Sequence, residues 1–253
     1  MTDFEVEREK IASQVYLSED FAQVSKAWMN HSANLKHSYL FDWLGIPIIQ
    51  IPQDMYALQE IVFRLKPDVI IETGIARGGS LQLSASLLAL LDLADFMKSD
   101  QNQGFRAKRK VLGIDVEIRE HARVAISNSF LQPWIETVEC DSTDDNLTTI
   151  LDAVSEKSET VLVILDSDHT KGHVTKELNL YSKYVTPGSY LIVFDTVIEF
   201  LESQLPGRSW GPGNSPLNAV KDFLESNPEF EVDEMLTSKL SISCAPNGYL
   251  RRR

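Results

Sequence analysis

From Pro67 to Phe194 the chain alternates short β-rich runs with amphipathic stretches, and this alternation restricts the fold more than any other feature. Asp68-Val-Ile-Ile-Glu-Thr, Val111-Leu-Gly-Ile-Asp, Ile135 to Glu139, Val161-Leu-Val-Ile-Leu and Ser189 to Phe194 read as strands. Ser80 to Met97, Arg119 to Asn128, Asn146 to Lys157 and Thr175 to Tyr184 read as the helices between them, with a polar loop from Lys98 to Lys110. Apolar strands separated by helices fit a mostly parallel sheet covered on both faces, an α/β Rossmann-like layout. After Asp195 the rhythm changes. Residues 197–216 form a Gly/Pro-rich loop, and a loop this long in a compact domain usually carries function. A helix from Pro216 to Ser226 follows. Two strand-like runs, Phe230 to Leu236 and Leu240 to Ala245, are expected to close the sheet as an antiparallel hairpin.

Residues 1–42 are polar and acidic, with Phe21, Val24, Ala27 and Trp28 at helical spacing. They are expected to form a helical arm packed on, or lidding, a main domain over 43–253. Prolines make the segment from Trp43 to Pro52 stiff and extended. Asp54 is expected to cap a helix running to Leu65. No run reaches 18 uninterrupted apolar residues, and the longest candidate, Leu81 to Phe96, is broken by Gln82, Asp92 and Asp95, so no membrane span is expected. With 37 acidic and 24 basic side chains, the net charge of −13 argues against nucleic-acid or anionic-membrane partners. Two cysteines, Cys140 and Cys244, and a start without a signal-peptide pattern make a reducing, cytoplasmic setting the expectation.

The first chemical motif joins the first strand to its helix: Glu72-Thr-Gly74-Ile-Ala-Arg-Gly78-Gly79-Ser80. Glycines there let the backbone turn sharply and approach a ligand, and the helix start offers unpaired N–H groups. The spacing is not the Gly-x-Gly-x-x-Gly dinucleotide pattern. Glu72 would repel a pyrophosphate but welcome a cationic amino-acid group, and S-adenosylmethionine carries both an ammonium and a sulfonium. A plain tight turn is the bland alternative. Asp115, ending the second strand, is placed to hold a ribose hydroxyl pair. Asp141 and Ser142, after the third, are placed to reach an adenine.

The second motif is Asp166-Ser-Asp168-His169 after the fourth strand, with Asp195 after the fifth. Adjacent strand ends face one crevice, where carboxylates repel one another unless a cation neutralises them. Oxygen ligands suit Mg²⁺, which can hold a substrate hydroxyl and lower its pKa. His169 is the natural proton acceptor. The bland alternative is that Asp166 or Asp168 caps the next helix. Zinc on His169 and His173 is disfavoured because Gly172 is expected to interrupt that helix. His31, His37 and His121 read as surface or packing residues. The basic run from Arg106 to Lys110 and the Arg251-Arg-Arg tail read as solvated. Trp210 stands out because it lies in the Gly/Pro loop.

Trp43-Leu-Gly-Ile-Pro-Ile-Ile-Gln, the glycine motif, Leu165-Asp-Ser-Asp-His, Pro187-Gly-Ser-Tyr-Leu-Ile-Val and Trp210-Gly-Pro-Gly-Asn-Ser-Pro together resemble the cephalosporin hydroxylase family, which is similar to rhamnosyl O-methyltransferases. The resemblance runs from about Trp43 to the C-terminus. It implies a class I methyltransferase sheet of seven strands with an antiparallel last pair. It puts S-adenosylmethionine on Glu72, Gly74, Gly78, Gly79, Ser80, Asp115, Asp141 and Ser142, metal on Asp166, Asp168 and Asp195, and the base at His169. One departure is Phe194, where the family commonly has the first member of an acidic pair. Asp168 or Glu199 could stand in for it.

The expected activity is methyl transfer from S-adenosylmethionine, with Mg²⁺, to a hydroxyl of a sugar or natural product. A small-molecule acceptor is the expected partner, and a homo-oligomer is compatible with the sequence. A nicotinamide-dependent oxidoreductase is disfavoured by the loop spacing and Glu72, and an oxygenase by the lack of a two-His-one-carboxylate pattern. A non-catalytic cofactor-binding protein is kept alive by Phe194.

Overall fold

The computed structural model describes residues 2–99 and 104–253. Two helices, α1 (Asp3–Leu17) and α2 (Glu19–Asn34), form the arm, each started by a side-chain cap at Thr2 or Ser18. The arm's inward face differs from the expected one. Phe21 and Val24 are exposed, whereas Ser25, Met29 and Asn30 are buried, one turn further along. The extended segment is a small hairpin, β1 (Phe41–Trp43) and β2 (Ile46–Ile48), turned by Leu44 and Gly45 at positive φ. Helix α3 (Pro52–Leu65) begins at Ile51 without a side-chain cap. Asp54 instead turns inward, accepting from Ser243 Oγ, Cys244 N and Tyr249 Oη.

The alternation then follows as read: β3 (Val69–Thr73), α4 (Gly79–Lys98), β4 (Lys110–Asp115), α5 (Glu120–Ser127), β5 (Ile135–Glu139), α6 (Thr148–Ser155), β6 (Val161–Leu165), α7 (Lys171–Tyr181) and β7 (Tyr190–Val193). Helix α8 (Pro216–Ser226), β8 (Phe230–Val232), α9 (Glu234–Leu240) and β9 (Tyr249–Arg252) complete the chain. The seven-stranded sheet has the order β5-β4-β3-β6-β7-β9-β8. Its first five strands are parallel, and β9 runs antiparallel to both neighbours. Ile70 and Ile71 point to opposite faces and belong to separate apolar layers, so β3 is covered on both sides. Each such fully buried side chain contributes about 1.5–3 kcal/mol relative to exposure.

The last pair is antiparallel as expected, but its second strand is Tyr249–Arg252, not residues 240–245. Asp233 caps α9 by accepting from Leu236 N, which turns the predicted strand end into helix. Leu240 ends α9, residues 241–245 become loop with Ser243, Cys244 and Ala245 buried, and Val197 N donates to the Cys244 carbonyl. The arginine tail is therefore strand: Arg251 pairs with Tyr190 and Glu231. The basic run is not simply solvated either, since Arg109 bridges the buried Asp92 and the half-exposed Asp95. Gly172 lies inside the first turn of α7 and does not interrupt it. Helix α4 is long and apolar enough by length and composition alone to cross a membrane, and its Leu81, Leu88 and Leu91 are buried in the core against the sheet. Both cysteines are free.

Candidate active site

The parallel strand ends converge on the glycine loop. Gly74 has φ +86°, and a Cβ there would stand 2.1 Å from the Asp166 carbonyl oxygen, so only glycine lets the ends of β3 and β6 lie this close. Gly78 caps α4 in the left-handed conformation. A Cβ on Gly79 would meet the Pro47 carbonyl oxygen at 2.4 Å, so this glycine is required by the β1–β2 hairpin crossing the helix start. Asp115 stands beside this loop and holds it: Oδ2 accepts from Ile75 N (2.8 Å) and Ala76 N (3.3 Å).

Glu72 is buried, accepts from Ser84 Oγ at 3.0 Å, and is held by Ser80 as well. Burial pushes its carboxyl up to about 7 against those bonds. A small pocket brings together Gln50, Asp54, Glu72, Ser80, Asp166 and Phe194. Gln50 was missed by sequence reasoning. Its Nε2 donates to Asp166 Oδ2 at 3.0 Å, and the only signal was its place at the end of the Trp43–Gln50 motif. Gln50 and Glu72 each leave one buried Oε1 without a partner, an arrangement that would accept a cationic donor.

Asp166, His169 and Asp195 come together, each offering a ligand atom within 4.8 Å of the others. His169 Nε2 lies 3.0 Å from Asp195 Oδ2. Burial and the neighbouring carboxylates Asp195, Glu72 and Glu177 hold Asp166 well above the usual carboxylate range. Asp195 takes the left-handed conformation at φ +56°. Two expected ligands are not brought in. Asp168 turns to its own loop, accepting from Thr170 N (2.8 Å) and Thr170 Oγ1 (2.5 Å) in an Asx turn, and α7, which starts after Thr170, has no side-chain cap, so the capping alternative fails as well. Glu199 accepts from Gly213 N and Ser215 Oγ, latching the loop before α8. Phe194 is buried and meets Tyr249 edge-on. Trp210 places its ring edge-on to His169, with centroids 5.5 Å apart.

After β5, where an adenine was expected, Asp141 accepts from Thr143 N and Oγ1 at 2.8 Å, an exposed turn. Ser142 is buried, with Oγ 3.0 Å from His173 Nε2.

Five parallel strands with an antiparallel C-terminal pair, a glycine loop after β3 and acidic residues at successive strand ends define a class I methyltransferase. The family model described as Rhamnosyl O-methyltransferase/CmcI matches residues 35–253, and the chain belongs to that family. It is therefore an S-adenosylmethionine-dependent O-methyltransferase by class. It is 30% identical over 212 residues to the rhamnosyl O-methyltransferase of Mycobacterium tuberculosis (strain ATCC 25618 / H37Rv), covering 83% of this chain and 77% of that protein. It is 28% identical over 215 residues to the one of Mycobacterium leprae (strain TN), covering 83% and 82%. Among solved structures it is similar to CmcI with Mg and SAM, at TM-score 0.56 and 17% identity, covering 85% of this chain and 77% of that one. An apo form of CmcI gives 0.57 at 19% identity, with 85% and 76% covered. At these identities the likeness bears on the fold. The oxidoreductase and oxygenase alternatives drop out with the family, which the arm, residues 1–34, precedes.

Proposed function

We propose that the chain methylates a hydroxyl of a sugar or natural product, with Mg²⁺ at Asp166 and Asp195 and with His169 as base. The observation that carries this reading is the convergence of Asp166, His169 and Asp195 beside the glycine loop. The donor set fits both groups. Two unpaired acceptors, Gln50 Oε1 and Glu72 Oε1, suit the ammonium of the methionine part, with Asp115 beside the ribose and Asp141 and Ser142 beside the adenine. Two carboxylates that crowd each other suit a hard divalent cation. When bound, S-adenosylmethionine supplies the electrophilic methyl and the cation a positive charge at the acceptor oxygen.

The residues do the rest. With a proton on Nε2 facing Asp195, His169 keeps Nδ1 as its basic nitrogen. That nitrogen would take the proton of the acceptor hydroxyl as it receives the methyl group. Asp195 stabilises the resulting imidazolium, and the Trp210 edge limits ring rotation. Positioning two reactants in this way supplies several kcal/mol.

Thermal unfolding with S-adenosylmethionine, with Mg²⁺ or EDTA, and with NADH as control tests the reading. Ligand at 100 times its dissociation constant stabilises by about 2.7 kcal/mol, a shift of roughly 5–10 °C at this size. A shift with S-adenosylmethionine that grows with Mg²⁺ supports the assignment. A shift with NADH alone overturns it.

A further inference from the structure

Beside the catalytic cluster lies a second polar cluster that the reaction above does not use. His173, Glu177 and Tyr181 are spaced four apart on α7 and so form one stripe facing the sheet. His173 Nε2 stands 3.0 Å from Ser142 Oγ and 3.0 Å from Ser167 Oγ. Ser167 Oγ donates to Glu177 Oε1 at 2.7 Å, and Tyr181 Oη donates to the Ser142 carbonyl at 2.9 Å. Glu177 is 0% exposed and leaves Oε2 without a partner. Ser142 follows β5, beside the proposed adenine position. Ser167 stands between Asp166 and the loop that carries His169.

We propose that His173 and Glu177 are a positioning pair that clamps the cofactor-holding end of β5 to the catalytic end of β6, so that cofactor affinity depends on the pair. This rests on the methyltransferase reading and adds to it two residues that touch neither methyl nor acceptor. One imidazole N–H shared between two hydroxyl oxygens sends the Ser167 proton to Glu177 and ties the segment after β5 to the segment after β6 across the ends of β4 and β3. A buried carboxylate with one free oxygen is stabilised by a protonated imidazole 3.6 Å away. Glu177, with Asp168 and Asp141 facing the ring, raises the His173 pKa above its usual value in spite of partial burial. Lys176 is the cation facing Asp141. The Nε2–H contacts survive in the neutral imidazole, but the ion pair with Glu177 that reinforces the clamp is present only while His173 is protonated and is lost as the pH rises through that raised value.

The test is S-adenosylhomocysteine binding by calorimetry from pH 6 to pH 9 for wild type, His173→Gln, Glu177→Gln and Ser142→Ala, with the unfolding midpoint of each ligand-free protein. His173→Gln should weaken binding about tenfold at pH 6 and flatten its pH profile. Ser142→Ala combined with His173→Gln should lose no more than the worse single variant. NMR titration of the ligand-free protein should show the His173 pKa falling in Glu177→Gln. Wild-type affinity and pH profile retained in a folded His173→Gln overturns the clamp and leaves the methyltransferase reading standing. An affinity loss matched by unfolding, with the profile unchanged, also overturns it, as a purely structural role. Absence of wild-type binding with the His173 pKa still raised overturns the methyltransferase reading and, with it, the dependence of affinity on the clamp.

Discussion

The glycine loop after β3 and the loop between β7 and α8 border the same cluster, yet they are held in different ways. The first is fixed by steric exclusion: Gly74 lies against the Asp166 carbonyl and Gly79 against the β1–β2 hairpin, with no room for a methyl group. The second is held by side-chain contacts, a small apolar cluster of Ile198, Leu201 and Trp210 together with removable polar bonds. Glu199 holds Gly213 and Ser215, and Asn214 Oδ1 accepts from Lys171 N at the start of α7. Arg208 stacks over Trp210. The contrast teaches that one border of the cluster is set by backbone close approach, which no side chain can replace, and the other by side-chain contacts, which single substitutions remove.

The sharpest way to break this comparison is Gly74→Ala. A side chain at φ +86° and 2.1 Å from a carbonyl oxygen forces β3 and β6 apart, and a loss above about 4 kcal/mol is expected. Urea unfolding measures it, and a near-normal midpoint would show that the strand ends are not locked.

His169→Ala should lower turnover by about 10²–10⁴, the usual range for a removed acid–base group, while S-adenosylhomocysteine affinity stays unchanged. Parallel turnover and calorimetry check this. A fully active variant removes His169 from the mechanism.

Glu72 sharpens the glycine-loop side through pH. Its carboxyl is raised from 4.5 to about 7, so the folded state binds more protons than the unfolded state between those values. Ligand-free stability should therefore fall as pH rises through that window, by about 3 kcal/mol in total from this group. Glu72→Gln should flatten the pH dependence of the unfolding free energy, and an unaltered slope would exclude Glu72 as its source.

The smallest effect belongs to the latch. Glu199→Ala frees Gly213 N and Ser215 Oγ and should cost about 1–2 kcal/mol. Limited proteolysis within 201–214 should speed up while S-adenosylhomocysteine binding is retained. Equal weakening of cofactor binding would merge the two regions into one.

Legibility in the sequence followed the same division. The strands β3, β4, β6 and β7 were readable as short apolar runs and β5 as a short β-branched run, Ile-Glu-Thr-Val-Glu, between turn residues; β5 and β6 match their predicted bounds. Asp166, His169 and Asp195 were readable because strand ends in a parallel sheet share one edge. Asp168 was not separable from them, since an Asx turn to Thr170 and a metal ligand look alike in sequence. Gln50 and Asp54 were invisible as site and core residues because their partners lie 116 and about 190 positions away. The strand that lies between β7 and β8 was misplaced because its two arginines mask a run that the sheet closes over.

By itself the sequence determined the α/β alternation, the glycine loop, the family and the four candidates, Asp166, Asp168, His169 and Asp195, from which the cluster is drawn. These rest on local periodicity and on residue types whose chemistry or conformational freedom is fixed wherever they stand. Only the tertiary structure decided that Asp54 is an anchor, that Asp168 turns away, that Gly79 serves the hairpin and that residues 249–252 enter the sheet. Each of those depends on which distant backbone or side chain arrives as partner, and the energy of a buried polar group is set by that partner.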